Sequence, residues 1–190
     1  MEERMVTISR SKFSVTYPAS FTLVASMNPC PCGYYNHPEK ECVCAPGVVQ
    51  KYLNKVSGPL MDRIDLHVEV TPVAFNELSS EKKFEKSESI RERVIQAREF
   101  QATRFKGKNN LYCNAQMEAQ MVQDICVITE AGKNLLNRAM QKLSLSARAY
   151  DRILKVSRTI ADLAASEEIK TEHLAEAIQF RSLDREDWAA

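Results

Sequence analysis

Residues 21–33 read FTLVASMNPCPCG, and residues 42–44 read CVC. The mostly apolar run Phe21–Ser26 predicts a short buried strand, which Met27-Asn28-Pro29 ends. Four of the six cysteines, Cys30, Cys32, Cys42 and Cys44, follow in a Pro-rich loop. An α/β sheet binds its ligands at the carboxyl ends of its strands. Asn28 is therefore expected to present a polar side chain at such an edge, beside a loop stapled by a metal.

The flanking segments set the fold class. Met5–Ser9 and Phe13–Tyr17 alternate apolar and polar residues around Arg10-Ser11-Lys12, the pattern of a hairpin with a basic tip, closed by Pro18. Val49, Tyr52, Leu53 and Val56 lie at helical spacing, and Ser57-Gly58-Pro59 breaks or restarts that helix. Ile64–Val70 alternates as a strand, with Ile64, Leu66, Val68 and Val70 on one face. Two strands joined by a helical crossover predict part of a parallel sheet. Residues 76–87 are polar and read as a linker, and only helices follow. A capping box at Ser89–Glu92 opens a helix to about Arg104, and a weaker one covers residues 115–125. Thr129, Ser146 and Thr171 are expected to cap three more.

The predicted class is α/β followed by all-α. Residues 1–75 form a sheet fragment of three or four strands, residues 76–87 a linker and residues 88–190 a helical bundle. The first strand, glycine loop and helix of a complete α/β domain are missing, so residues 1–75 read as the second half of something larger.

Bulk properties exclude some functions. A net charge of +1 provides no global field toward DNA or a membrane, so any nucleic-acid contact is local. No apolar run approaches the ~18 residues of a membrane span, and MEERMVTISR lacks the apolar centre of a signal peptide. The expected location is the cytoplasm, where clustered cysteines point to a metal more than to disulfides. None of the five glycines stands in a phosphate-cradling GxxxxGKS/T pattern.

Each candidate residue also has an ordinary reading. Asn28 before Pro29 is either a turn residue or a polar sensor that orients a water or phosphate, and the local sequence does not separate the two. The Cys30-Pro31-Cys32 and Cys42-Val43-Cys44 pairs suit tetrahedral zinc, with His37 between them as a substitute ligand; free thiols and a disulfide are the alternatives. A four-thiolate zinc site is closed, hence structural. Cys113 and Cys126 read as small core residues. Arg63 is either half of a surface ion pair with Asp62 or a guanidinium presented to phosphate. Arg148, in the first turn of a capped helix, either tolerates an unfavourable dipole or helps the helix start bind an anion. His67 and His173 read as structural, and Arg10 and Lys12 as a solvated turn or a nucleic-acid contact.

Three blocks taken together, VTISRSKFSVTYPASFTLVASMNPCPCGYY, SGPLMDRIDLHVEV and LSLSARAYDRILKVSRTIADL, resemble the magnesium-chelatase-like AAA+ ATPases of the YifB/ComM type. The resemblance runs from about Met5 to Arg185. It implies a partial AAA+ αβα core followed by a helical lid. It also implies a ring, hexameric by expectation, that hydrolyses ATP with Mg²⁺ between neighbouring subunits. Asn28 matches the sensor-1 position, Arg63 the arginine finger and Arg148 the sensor-2 arginine of the lid. The Met5–Tyr17 hairpin matches an insertion that faces the central pore in related motors. The family's cysteine-rich variants carry the same thiol loop. The ComM-like branch implies DNA remodelling in competence, and insertion of Mg²⁺ into a porphyrin is the less expected activity. The P-loop and the acidic Mg²⁺-binding motif of the family are not in this sequence. The chain thus reads as a C-terminal fragment that cannot hold ATP alone. Two readings from other classes are a zinc-bearing nucleic-acid-binding module and a helical protein-interaction domain.

Overall fold

Alternation around a two-residue turn makes the expected hairpin. In the computed structural model, which describes residues 4–72 and 84–181, β1 (Met5–Arg10) pairs antiparallel with β2 (Phe13–Pro18) in the register Thr7↔Thr16, Ile8↔Val15. One face carries hydroxyl pairs: Thr7 meets Thr16 at 2.9 Å and Ser9 meets Ser14 at 2.8 Å. The other carries Val6–Tyr17, Ile8–Val15 and Arg10–Phe13. Its apolar side chains stay largely in water, with Phe13 60% exposed.

The hairpin belongs to the first of two units, Met1–Lys55; Val56–Ala190 form the second. Beyond the hairpin, the first unit holds the cysteine loop and α1 (Val48–Leu53), whose Leu53 is buried. The strand expected at Phe21–Ser26 is not formed, and Phe21, Leu23 and Val24 are exposed. The segment has strand composition, but a strand exists only through its ladder. Among the described residues, β1–β2 is the only paired sheet.

The second unit is helical. Its elements are α2 (Gly58–Met61), α3 (Ser87–Arg104), a 3₁₀ turn at Asn114–Gln116, α4 (Ala119–Ile125), α5 (Glu130–Lys142), α6 (Ala147–Leu163) and α7 (Thr171–Gln179). Caps explain two of the starts: Thr129 Oγ1 accepts from Gly132 N–H and Ser146 Oγ from Ala149 N–H, both at 3.2 Å. Two expected caps are displaced. α3 begins at Ser87, ahead of the predicted box. α7 has Lys170 at its N-cap, whose N–H donates to His173 Nδ1 at 3.1 Å.

α6 is the central helix, packed against α3, α4, α7 and the 3₁₀ turn. Its Ile153 and Leu154 join Val122, Leu136 and Leu174 in the core. α5 and α7 approach so closely that a Cβ on Gly132 would lie 2.8 Å from Leu174 Cδ1. A short parallel bridge, Ile128↔Ile169, closes the far side.

The second expected strand, Ile64–Val70, is also unpaired, and its facing is reversed. Leu66, Val68 and Val70 are exposed, whereas His67 is buried. His67 N–H donates to Phe180 O at 2.8 Å and its Nε2 to Met61 O at 3.2 Å, so the segment is anchored to the helices through its polar atoms. A sheet of three or four strands is therefore reduced to two among the described residues. Most of the expected linker, residues 76–83, lies outside the described residues.

Candidate functional site

The thiol loop is folded by its own turns. Pro31 presets φ, and Gly33, with φ of 84°, accepts the left-handed conformation that lets its N–H return to Cys30 O at 3.0 Å. This turn aims Cys30 and Cys32 inward. The Cys30–Cys32, Cys32–Cys42 and Cys30–Cys42 sulfurs lie 3.2, 3.5 and 3.8 Å apart. With Cys44 included, all four Sγ atoms fall within 4.8 Å of one another. Four thiolates at about 2.3 Å from a tetrahedral metal stand about 3.8 Å apart, a spacing that the four sulfurs bracket. The sulfurs are unbonded, and the disulfide alternative is not what the structure contains.

Backbone amides tune the cluster. The Tyr34 N–H donates to Cys32 Sγ and, against burial, brings that thiol down to about 6. Cys44 moves the opposite way, up to about 12. The Cys32 amide lowers it, but burial and the neighbouring Cys32, Cys42 and Cys30 side chains outweigh that pull. The opposite directions belong to the four thiols as a coupled set.

His37 stands outside the four-sulfur set. Its Nδ1 accepts from the N–H groups of Glu39 and Lys40 at 3.0 and 3.1 Å, and its ring stands edge-on to Tyr34. It braces the loop between the two cysteine pairs. Asn28 is exposed just ahead of Cys30.

Arg63 and Arg148 belong to the helical unit. Arg63 donates to Pro59 O at 2.6 Å and, among the described residues, has no carboxylate partner. The alternative reading of Arg63, an ion pair with Asp62, is not formed, and Asp62 is engaged elsewhere: Ser146 Oγ–H donates to its Oδ1 at 2.8 Å, and Arg181 Nη2 lies 3.7 Å away. Arg148 is exposed in the first turn of α6, where no acidic residue accompanies it. His67 and His173 are buried in structural hydrogen bonds. Cys126 is a core residue whose burial pushes the thiol up to about 11, and Cys113 is half-buried.

Two polar clusters lay outside the sequence reading. In one, Asp162 accepts from Arg104, Asn114 and Arg158 at 2.6–3.1 Å. The signal was present: Arg158 and Asp162 fall, four residues apart, on the inward stripe of α6. In the other, Arg181, 1% exposed, donates to Ile64 O and faces Asp62. Nothing local marked Arg181, because its partners lie more than a hundred residues upstream.

Comparison with known proteins covers almost the whole chain. Residues 1–78 match the family described as magnesium chelatase, subunit ChlI, and residues 84–181 match its C-terminal family. The chain is 40% identical over 186 residues to the competence protein ComM of Haemophilus influenzae. It is 39% identical over 190 residues to the protein YifB of Salmonella typhimurium. A Mycobacterium tuberculosis protein is 32% identical over 181 residues. These alignments cover 95–97% of the chain but 35% of each relative. Among the described residues, no helix is long and apolar enough to cross a membrane.

Proposed function

The chain belongs to the magnesium chelatase subunit ChlI family, in its ComM and YifB type, and from that membership we propose that it is the sensor-and-lid portion of a ring-forming ATP hydrolase. Arg63 reaches the nucleotide of the adjacent subunit and stabilises charge on the transferred phosphoryl group. Asn28 orients the attacking water. Arg148 couples bound nucleotide to the position of the helical unit. The whole protein remodels DNA, a reading supported by the competence name of the Haemophilus relative and by the basic hairpin tip at Arg10 and Lys12.

The single observation that carries this reading is the state of Arg63. A guanidinium beside a carboxylate ordinarily pairs with it, but Asp62 is held by Ser146 and faces Arg181 instead, so Arg63 has its charge to offer. Zinc at Cys30, Cys32, Cys42 and Cys44 would be structural: it would staple the loop next to Asn28 and leave no open position for chemistry.

The test is made in the protein of the complete reading frame. Arg63→Ala should lower ATP hydrolysis by about 10³-fold or more, the worth of such an arginine elsewhere, while ATP affinity changes little. Hydrolysis at the unsubstituted rate would return Arg63 to an ordinary surface arginine. The alternative, a zinc-bearing nucleic-acid module without motor function, predicts no ATP hydrolysis in the unsubstituted protein either, and DNA binding unchanged by Arg63→Ala.

A further inference from the structure

The segment that carries Arg63 is tied to the helix that carries Arg148 at several points. Ser146, the N-cap of α6 and two residues before Arg148, donates its hydroxyl to Asp62, the residue next to Arg63, at 2.8 Å. One turn further along α6, Arg152 pairs with Asp65. From the end of α7, Arg181 donates to Ile64 O and faces Asp62, and Phe180 O accepts the His67 N–H. Residues 62–67 thus have polar ties to two helices, although they form no regular element themselves.

We propose that Asp62 and Ser146 are positioning residues that hold Arg63 and Arg148 in one rigid body, so that movement of the helical unit delivers or withdraws Arg63. The inference rests on the phosphate-contacting role of Arg63 argued above. Its physical basis is distinct: the side chain of Ser146 serves two partners at once. Its oxygen accepts from Ala149 N–H at 3.2 Å and its proton goes to Asp62. The start of α6 therefore cannot shift relative to Asp62 without loss of either the cap or the clasp. Arg181 strengthens the arrangement. Its buried guanidinium faces the same carboxylate, and that holds Asp62 away from Arg63.

Ser146 allows the clasp to be separated from the cap. Ser146→Asp keeps a good cap acceptor but removes the hydroxyl donor and sets a second carboxylate against Asp62. Ser146→Thr keeps both functions. Asp62→Ala breaks the same bond from the other side and leaves the cap intact. ATP hydrolysis and KM for ATP are measured in the protein of the complete reading frame, together with hydrogen exchange at the His67 amide. Ser146→Asp and Asp62→Ala should each lower kcat by about 10²-fold, the loss that a misplacement of about 1 Å produces, with KM nearly unchanged. The His67 amide should exchange at least about tenfold faster while the interior of α6 stays protected. Ser146→Thr should behave as the unsubstituted protein. If Ser146→Asp yields no folded protein, Asp62→Ala decides alone. Unchanged kcat in the clasp variants, with Arg63→Ala inactive, overturns the positioning role and leaves the function of Arg63 standing. Full activity in Arg63→Ala overturns both.

Discussion

Arg104 and Asp162, fifty-eight positions apart, meet in a two-pronged ion pair: Nη1 to Oδ2 at 2.8 Å and Nη2 to Oδ1 at 2.6 Å. Arg158 and Asn114 complete the shell around the same carboxylate, which is almost inaccessible to water. The cluster joins α3, α6 and the 3₁₀ turn through one buried charge.

Removal of that charge should be costly. Asp162→Ala leaves the buried Arg158 with only the Ser166 and Glu167 carbonyls as acceptors and no carboxylate to balance its charge, and should destabilise the helical unit by about 3–5 kcal/mol, read from urea unfolding. Burial raises the Asp162 pKa, but the hydrogen bonds from Arg104 and Asn114 outweigh it and hold the group below the usual carboxylate range. A depressed folded value contributes stability above the unfolded value of about 3.9. That contribution is lost as pH falls through the lower folded value. Asp162→Asn should therefore show a smaller loss of stability than the unsubstituted chain across the same acid window.

The thiol cluster should hold about one equivalent of zinc. Elemental analysis of protein purified without chelator measures it, and Cys32→Ser should lower the content. Less than about a tenth of an equivalent of any transition metal would contradict a four-thiolate site built to this spacing.

His37 should not matter to the metal. Because its Nδ1 is occupied by two backbone N–H groups, His37→Asn, which retains an acceptor for the turn, should keep full zinc content. A loss equal to that of Cys32→Ser would make His37 a ligand after all.

The chain by itself should not bind ATP tightly. No GxxxxGKS/T pattern is present to supply the amide and lysine cradle for the phosphates. Titration calorimetry with ATP and Mg²⁺ should give no dissociation constant tighter than about 1 mM, and a micromolar value would require a cradle of another kind.

Gly132→Ala sets two effects against each other. Gly132 lies in the first turn of α5, where the exchange gains at most the roughly 1 kcal/mol of a helix interior, but the new Cβ would lie 2.8 Å from Leu174 Cδ1, and Leu174 is fully buried. Overpacking of a filled core costs about 1–3 kcal/mol, so the variant should be no more stable than the parent and up to about 2 kcal/mol less. Thermal melts of the two proteins decide the sign.

Legibility followed the range of the interaction. The hairpin was readable because its register is set within a dozen residues by alternation and a short turn. The helices at Thr129 and Ser146 were readable because each cap bonds a group three residues away. The thiol set was readable because all its ligands lie in one loop. Phe21–Ser26 and Ile64–Val70 were misread for the converse reason: composition and alternation prepare a strand, but only a neighbouring strand makes one.

By itself the sequence determined the hairpin, the helical run after residue 87, the cysteine loop and the family. These depend on local periodicity, local caps and motif order. Only the tertiary structure decided that His37 Nδ1 turns to the Glu39 and Lys40 N–H groups and braces the loop. It also decided that Asp62 turns from Arg63 to Ser146 and Arg181, and that Asp162 gathers three donors in the helical core. Each of these is a contest for one side chain among partners distant in sequence. Such a contest is settled by burial and hydrogen-bond geometry, which exist only once the chain has folded.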